Sequence, residues 1–205
     1  MSFALSPCLP VSIITISIGV FIITDTRFTN VFFRLSQFNF NNNLPFIVFH
    51  PGSSGSAVDL PLSKMKELID LTAKNLQVNI ILTGITEEKK LCEELSVNSK
   101  VLNLAGLFNL GELVALINRA DLMVSNSTGP IHIAAALKKF VIGFYPKIKV
   151  CSPERWGPYS EKSFIFQPEI NCNDCTREQC ERLNCMNSIN INNVFKKIES
   201  VISKE

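Results

Sequence analysis

The sequence predicts an α/β protein built on an open parallel sheet with helices on both faces, and three observations lead there. Short, continuous apolar runs of strand type recur from Leu44 onward. Stretches with apolar residues at helical spacing separate them. Small, polar, turn-forming residues follow the strands at one end. Regular alternation of this kind is the pattern of β-α-β units, because parallel strands need crossover helices to join them. At 205 residues and 46% apolar, the chain is long enough for one well-buried domain with a small appendage.

Phe46-Ile47-Val48-Phe49-His50 is the first strand, apolar in a continuous run as a strand covered on both faces must be. It ends in Pro51-Gly52-Ser53-Ser54-Gly55-Ser56. From Leu62, residues Met65, Leu68, Ile69, Thr72 and Leu76 keep helical spacing, and Val78 to Leu82 returns to a strand that stops at Thr83-Gly84. A helix near Glu87 to Leu95 and a third strand at Val101 to Leu104 follow. Asn109 is suited to cap the next helix, with Glu112 three residues on and Leu110, Leu113, Val114 and Ile117 facing inward. The fourth strand is Leu122 to Ser125, the next helix Ile131 to Leu137, and the fifth strand Phe140 to Tyr145.

Ligands of such sheets bind at the carboxyl ends of the strands. The most informative of these ends is Ser125-Asn126-Ser127-Thr128-Gly129, where a buried strand turns into a helix through phosphate-sized residues. It aims free backbone N–H groups and two hydroxyls at whatever sits above the strand, which makes an anion site. Each glycine taken alone is also explained by a tight turn. Three strand ends rich in Ser, Thr and Gly on one rim favour phosphate binding.

Composition changes at Asn39 to Asn43, which places a domain boundary at residue 44 and divides the chain into 1–43 and 44–205. Val11 to Ile23 is an uncharged stretch of 13 residues, short of the roughly 20 a membrane span needs. It reads as a marginal span, a buried strand pair or the remnant of an upstream domain. The net charge of +2 implies no nucleic-acid partner. Seven cysteines, an odd number, behind a start without a basic segment argue against a secreted disulfide scaffold. Four of them form Cys172-x2-Cys175-x4-Cys180-x4-Cys185. That spacing is open to a zinc tetrathiolate, to disulfides or to reduced packing thiols, since only one pair has knuckle spacing.

Several segments resemble, in order and spacing, glycosyltransferase family 9, the heptosyltransferases. They are His50-Pro51-Gly52-Ser53, Thr83-Gly84 with Glu87-Glu88, Asn103-Leu104-Ala105-Gly106, Asn118-Arg119-Ala120-Asp121-Leu122 and Asn126 to Leu137. Pro153-Glu154-Arg155-Trp156-Gly157-Pro158-Tyr159 and the cysteine cluster ending in Cys185-Met186 extend the match, which covers about residues 44 to 200. The resemblance implies the C-terminal, donor-binding half of a GT-B fold, a Rossmann-like domain, with 44–205 as that half. It implies an inverting, metal-independent transfer of heptose or a similar sugar from an ADP-activated donor to a lipid A-linked lipopolysaccharide core acceptor. No cofactor is implied. The location implied is the cytoplasmic face of the inner membrane, with peripheral membrane association.

Carried over by position, Ser127, Thr128, Gly129, Pro130 and His132 resemble the loop and helix start that hold the donor diphosphate. A leaving nucleoside diphosphate needs fixed N–H dipoles and a donor side chain. His132 is also open to a packed, structural reading. Glu87 or Glu88 resembles the acid that reaches the donor ribose, or is simply an acid at a helix start. Ser53, Ser54, Thr83 and Gly84 complete the expected donor contacts, although the serines suit a flexible turn as well. The sequence departs from the family at Ser127, where many relatives carry Asp, and at Val58-Asp59-Leu60-Pro61, where many carry a basic residue before the proline pair. Lys147 and Lys149 stand where a replacement cation would serve. The family's base is a carboxylate of the N-terminal domain, and Asp25, the only acidic residue before His50, does not match its context. The catalytic residue is therefore unassigned. Two further readings stay open, a catalytically incompetent nucleotide-sugar-binding module and a membrane-tethered or zinc-ribbon interaction protein.

Overall fold

The computed structural model describes residues 25–38, 40–96, 98–172 and 175–203. Val11 to Ile23 and Cys8 lie outside the described residues. Among those described, no helix is long and apolar enough to cross a membrane.

In chain order the elements are α1 (Asp25–Ser36), β1 (Phe46–His50), α2 (Leu62–Asn75), β2 (Asn79–Leu82), α3 (Lys89–Leu95), β3 (Val101–Asn103) and α4 (Leu110–Arg119). There follow β4 (Leu122–Asn126), α5 (Gly129–Ala136), β5 (Phe140–Phe144), α6 (Pro153–Trp156), β6 (Ser163–Phe166), α7 (Arg177–Arg182) and α8 (Ile191–Ile202). All strand pairings are parallel, in the order β3-β2-β1-β4-β5-β6. Five of these strands are the ones the sequence predicts. The sixth, β6, extends the sheet by pairing Val141 to Phe144 with Ser163 to Phe166.

Alternation along each strand divides the core into two layers, because successive side chains leave a strand on opposite faces. Ile47 and Phe49 of β1, with Ile80, Leu82, Leu122, Val124, Ile142 and Phe144, meet Met65, Leu68 and Ile69 of α2, Cys92 and Leu95 of α3, and Val194 and Ile198 of α8. Phe46 and Val48, with Ile81, Met123 and Val141, meet Val31 and Leu35 of α1, Ala115, Leu116 and Ile117 of α4, and Ile131 and Ala134 of α5. The alanines of α5 let that helix approach the sheet closely.

The N-terminal cap of α4 forms as the sequence predicts. Asn109 Oδ1 accepts the Glu112 N–H at 3.0 Å, and Glu112 Oε2 accepts the Asn109 N–H at 3.0 Å. The other Glu112 oxygen faces Arg34 of α1 at 3.5 Å, and Arg34 also donates to the Leu107 carbonyl at 2.6 Å. Thus α1, which precedes residue 44, shares a buried face and an ion pair with the elements that follow. The asparagine-rich turn is tied in as well: Asn79 Oδ1 accepts from Asn41 N–H, and Asn79 Nδ2 donates to the Asn41 carbonyl.

Candidate functional site

The strand order reverses between β1 and β4, and the crevice above that point is where open parallel sheets place their ligands. Both rims of the crevice are built from the strand ends singled out above. The side chain of Asn126, fully buried at the end of β4, fastens them together. Its Nδ2 donates to the Pro51 carbonyl at 2.6 Å and its Oδ1 accepts the Leu60 N–H at 2.9 Å. The Ser56 hydroxyl adds a longer contact to the Ser127 carbonyl at 3.5 Å. The residues from Pro51 to Leu60, here the β1 loop, therefore hang between β1 and the β4 turn.

On the β4 side, Thr128 occupies the cap position of α5 in extended conformation, and its side chain makes no capping bond. The hydroxyl and the Gly129 N–H are left for a ligand, since Pro130 has no N–H and the Ile131 N–H donates to the Thr128 carbonyl at 3.2 Å. Pro130, in the first turn, removes no donor the helix needs. Gly129 is exposed, and a Cβ built on it would meet nothing within 4 Å. That glycine keeps space open at the helix start. His132 is exposed one turn into α5, so it is not packed against the sheet. Near Ser127 lies Tyr145, a buried residue whose hydroxyl donates to the Trp156 carbonyl at 2.9 Å. Burial raises the Tyr145 hydroxyl above its ordinary pKa, with the Ser127 bond acting against that.

The β1 side differs from the sequence expectation in which groups face the crevice. Ser53 and Thr83 are buried. Ser53 Oγ accepts the Ala57 N–H at 3.3 Å, and Thr83 Oγ1 bonds His50 Nδ1 at 2.9 Å. Burial holds the His50 imidazole below its ordinary pKa, while Glu88 pulls the other way. Ser54 is exposed, with φ +49°, followed by Gly55 at φ +76°. Two consecutive left-handed residues throw the loop outward.

Of the two acids, Glu88 comes to the rim. Its Oε1 accepts from the Ser54 N–H at 3.2 Å and the Ser54 hydroxyl at 3.1 Å, and its Oε2 from the Ile85 N–H at 3.0 Å. Glu87 stays exposed in the same turn. The Glu88 carboxylate fits because two glycines make its slot. A Cβ on Gly52 would land on the carboxylate, and one on Gly84 would sit 2.8 Å from Oε2.

Asp59 closes the back of the loop. It lines a cavity of about 390 Å³ with Leu60, Met65, Arg177, Cys180 and Glu181. Burial pushes its carboxyl up to about 6, the Ser53 hydrogen bond lowers it, Glu88 raises it, Arg177 lowers it and Glu181 raises it. Its Oδ1 is buried with no hydrogen-bond partner. Sequence reasoning missed the roles of Asn126 and Tyr145. A lone asparagine ending an apolar strand is the signal that could have found the first.

Lys147 donates to the Ile170 carbonyl at 2.7 Å, and Lys149 is exposed beyond β5. In the C-terminal segment, Cys180 is buried, Cys175 and Cys185 pack against the same layer as α2 and α8, and Cys172 is exposed. Burial first, and then the thiols of Cys185, Cys172 and Cys175, push Cys180 up to about 11. All four are free thiols, and among the described residues no three His, Cys, Asp or Glu side chains form a group that could hold a metal.

Residues 26–186 match the family model described as glycosyltransferase family 9 (heptosyltransferase). A Haemophilus influenzae protein, by name a glycosyltransferase, is 33% identical over 134 residues, 62% of this chain and 38% of that protein. The lipopolysaccharide core heptosyltransferase OpsX of the same organism is 28% identical over 66% of this chain and 37% of its own length. The chain thus spans well under half the length of these relatives. Among solved structures, Escherichia coli ADP-heptose lps heptosyltransferase II superposes with a TM-score of 0.69 at 21% identity, covering 95% of this chain and 55% of that one.

Proposed function

Because the chain belongs to glycosyltransferase family 9, the heptosyltransferases, we propose that residues 44–205 bind the nucleotide-sugar donor of a glycosyl transfer. Gly129 is the observation that carries this reading, since it leaves the start of α5 open where a Cβ would meet nothing. A diphosphate placed there would receive the Gly129 N–H and the hydroxyls of Ser127 and Thr128, with His132 one turn along. These groups suit the charge that grows on a departing nucleoside diphosphate. Ser54, Gly84 and Glu88 on the opposite rim would meet the ribose or the sugar. The names of the relatives, lipopolysaccharide core heptosyltransferase and ADP-heptose heptosyltransferase, support ADP-heptose or a similar ADP-sugar as donor. The first of those names supports a lipopolysaccharide core acceptor, and action at the cytoplasmic face of the inner membrane is part of the same proposal, as the family resemblance implies.

A specific observation favours a second reading, that this chain binds donor without catalysing transfer. Before His50 the only acidic residue is Asp25, whose context does not match that of the carboxylate base the family resemblance implies.

Calorimetric titration of ADP and ADP-heptose into the chain and its Gly129→Val variant tests the site. The variant's side chain enters open space, so it is expected to fold, as circular dichroism would report, and to lose binding. Absence of binding to the folded wild-type chain refutes the donor reading. Binding without any transfer or hydrolysis of ADP-heptose selects the module reading.

A further inference from the structure

We propose that Arg177, on the short cysteine-bearing helix α7, is a positioning residue for the β1 loop; the inference rests on the donor reading above. Its Nη2 donates to the Gly55 carbonyl at 2.6 Å and to the Ala57 carbonyl at 3.0 Å, across some 120 residues of chain. Its Nε donates to Glu181 Oε1 at 2.8 Å, one turn along α7, so the guanidinium plane is fixed before it meets the loop. The helix start is itself held, with Thr176 Oγ1 accepting the Gln179 N–H and Gln179 Oε1 accepting the Thr176 N–H. Cys180, on the same helix, anchors it by burial in the core.

The physical case concerns which way peptide dipoles point. A loop that borders a diphosphate across the crevice is best placed with its carbonyls turned away from it, since their negative ends repel the anion. Ala57, Val58 and Leu60 anchor one end of the loop in the core, but its tip is exposed and Ser54 and Gly55 adopt left-handed conformations there, so the peptide orientation of the tip is weakly determined locally. Glu88 holds one side of the loop through the N–H and hydroxyl of Ser54. Arg177 holds the other side through two carbonyls, which it keeps on the α7 face. A planar fork of donors can engage two carbonyls and a carboxylate at once, and an ammonium cannot do so in one fixed geometry. The C-terminal cysteine-rich segment thereby sets the shape of a rim that lies far from it in sequence.

The test measures ADP affinity by calorimetry for wild type, Arg177→Ala and Arg177→Lys, with urea stability and amide exchange at Ser56 and Ala57 measured alongside. Arg177→Ala is expected to weaken ADP binding about tenfold, the loss expected for hydrogen bonds from a charged donor. Exchange at Ser56 and Ala57 should quicken, Arg177→Lys should recover only part of the affinity, and millimolar methylguanidinium should restore binding to Arg177→Ala saturably. A merely structural residue would lower stability while leaving the folded fraction's affinity and the rescue unmoved, and that result overturns the proposal. Should Arg177→Ala fail to fold, Glu181→Ala, which removes the acceptor of the guanidinium Nε–H, carries the same test with a smaller expected loss. If wild type itself binds no ADP, the donor reading falls and this inference with it. Wild-type binding with unchanged affinity in the variants overturns this inference alone.

Discussion

Replacing Asp59 by asparagine is expected to stabilise the chain at neutral and alkaline pH and to leave it nearly unchanged in acid. The folded structure raises the Asp59 carboxyl from 3.8 to about 6, chiefly by burial. A raised carboxyl binds its proton more tightly in the folded chain than in the unfolded one. Its contribution to stability is therefore fully present below about 3.8 and is lost as pH rises through about 6. A displacement of that size is worth about 3 kcal/mol, reduced somewhat because the side chain keeps a partly exposed edge. An asparagine in its place would not ionise, and it can still bond Ser53, so the variant should escape this loss. Urea denaturation of both proteins at pH 4 and pH 8 reads it directly. Other groups titrate equally in the two proteins, so the informative quantity is the change with pH in the difference between them. A gain of about 2–3 kcal/mol for Asp59→Asn on going from pH 4 to pH 8 is expected. A difference that stays flat between those pH values would show that Asp59 is not desolvated in the way its buried, unpartnered Oδ1 implies.

Three further outcomes follow from the same contacts. Asn126→Ala leaves the buried Pro51 carbonyl and Leu60 N–H without partners, so it should cost about 2–4 kcal/mol in urea denaturation and weaken ADP binding with it. Gly52→Ala drives a methyl into the Glu88 carboxylate and should be destabilising on its own, yet nearly neutral when combined with Glu88→Ala. A double-mutant cycle showing simple additivity would contradict that slot. Glu112→Ala removes the acceptor of the Asn109 N–H and the partner of Arg34 while the bond from the Glu112 N–H to Asn109 Oδ1 survives, and thermal unfolding should register a loss of about 1–2 kcal/mol, smaller when Arg34 is already alanine.

What the sequence disclosed and what it hid divide along a physical line. β1 was legible because both its faces are covered, so its residues are apolar without interruption. The start of α4 was legible because its cap is a local code, Asn109 and Glu112 within one turn. β6 was not, since a half-buried edge strand of four residues pairs on one side only and carries no distinguishing pattern. Nor was α1, whose placement depends on Arg34 finding Glu112 and Leu107 more than seventy residues away. At the site, the rim was readable from its composition, but the direction of each hydroxyl was not. Ser53 and Ser54 are neighbours of identical chemistry; the left-handed backbone at Ser54 turns one outward, while the other bonds the loop from inside. Likewise the slot that selects Glu88 over Glu87 is made by glycines at two separate strand ends.

The two departures from the family pattern, at Ser127 and at Val58-Asp59, gain a common meaning from their surroundings. An aspartate on the β4 turn and a basic residue on the β1 loop would offset each other in an empty site and leave a cation ready for a diphosphate. This chain has neither that aspartate on the β4 turn nor that cation on the β1 loop, where Asp59 stands instead. Ser127 presents a neutral hydroxyl near Tyr145, and Asp59 is turned to the back of the loop beside Ser53. Lys147, a candidate replacement, is engaged by the Ile170 carbonyl. Donor recognition on this rim would therefore fall to fixed dipoles, the Gly129 N–H, two hydroxyls and His132. Each such contact is worth less than a charge-assisted pair, and each depends more steeply on direction. A site of that kind would gain most from rigid loops, and the buried Asn126 clasp, the Glu88 slot and the Arg177 contacts all converge on the same ten residues of the β1 loop.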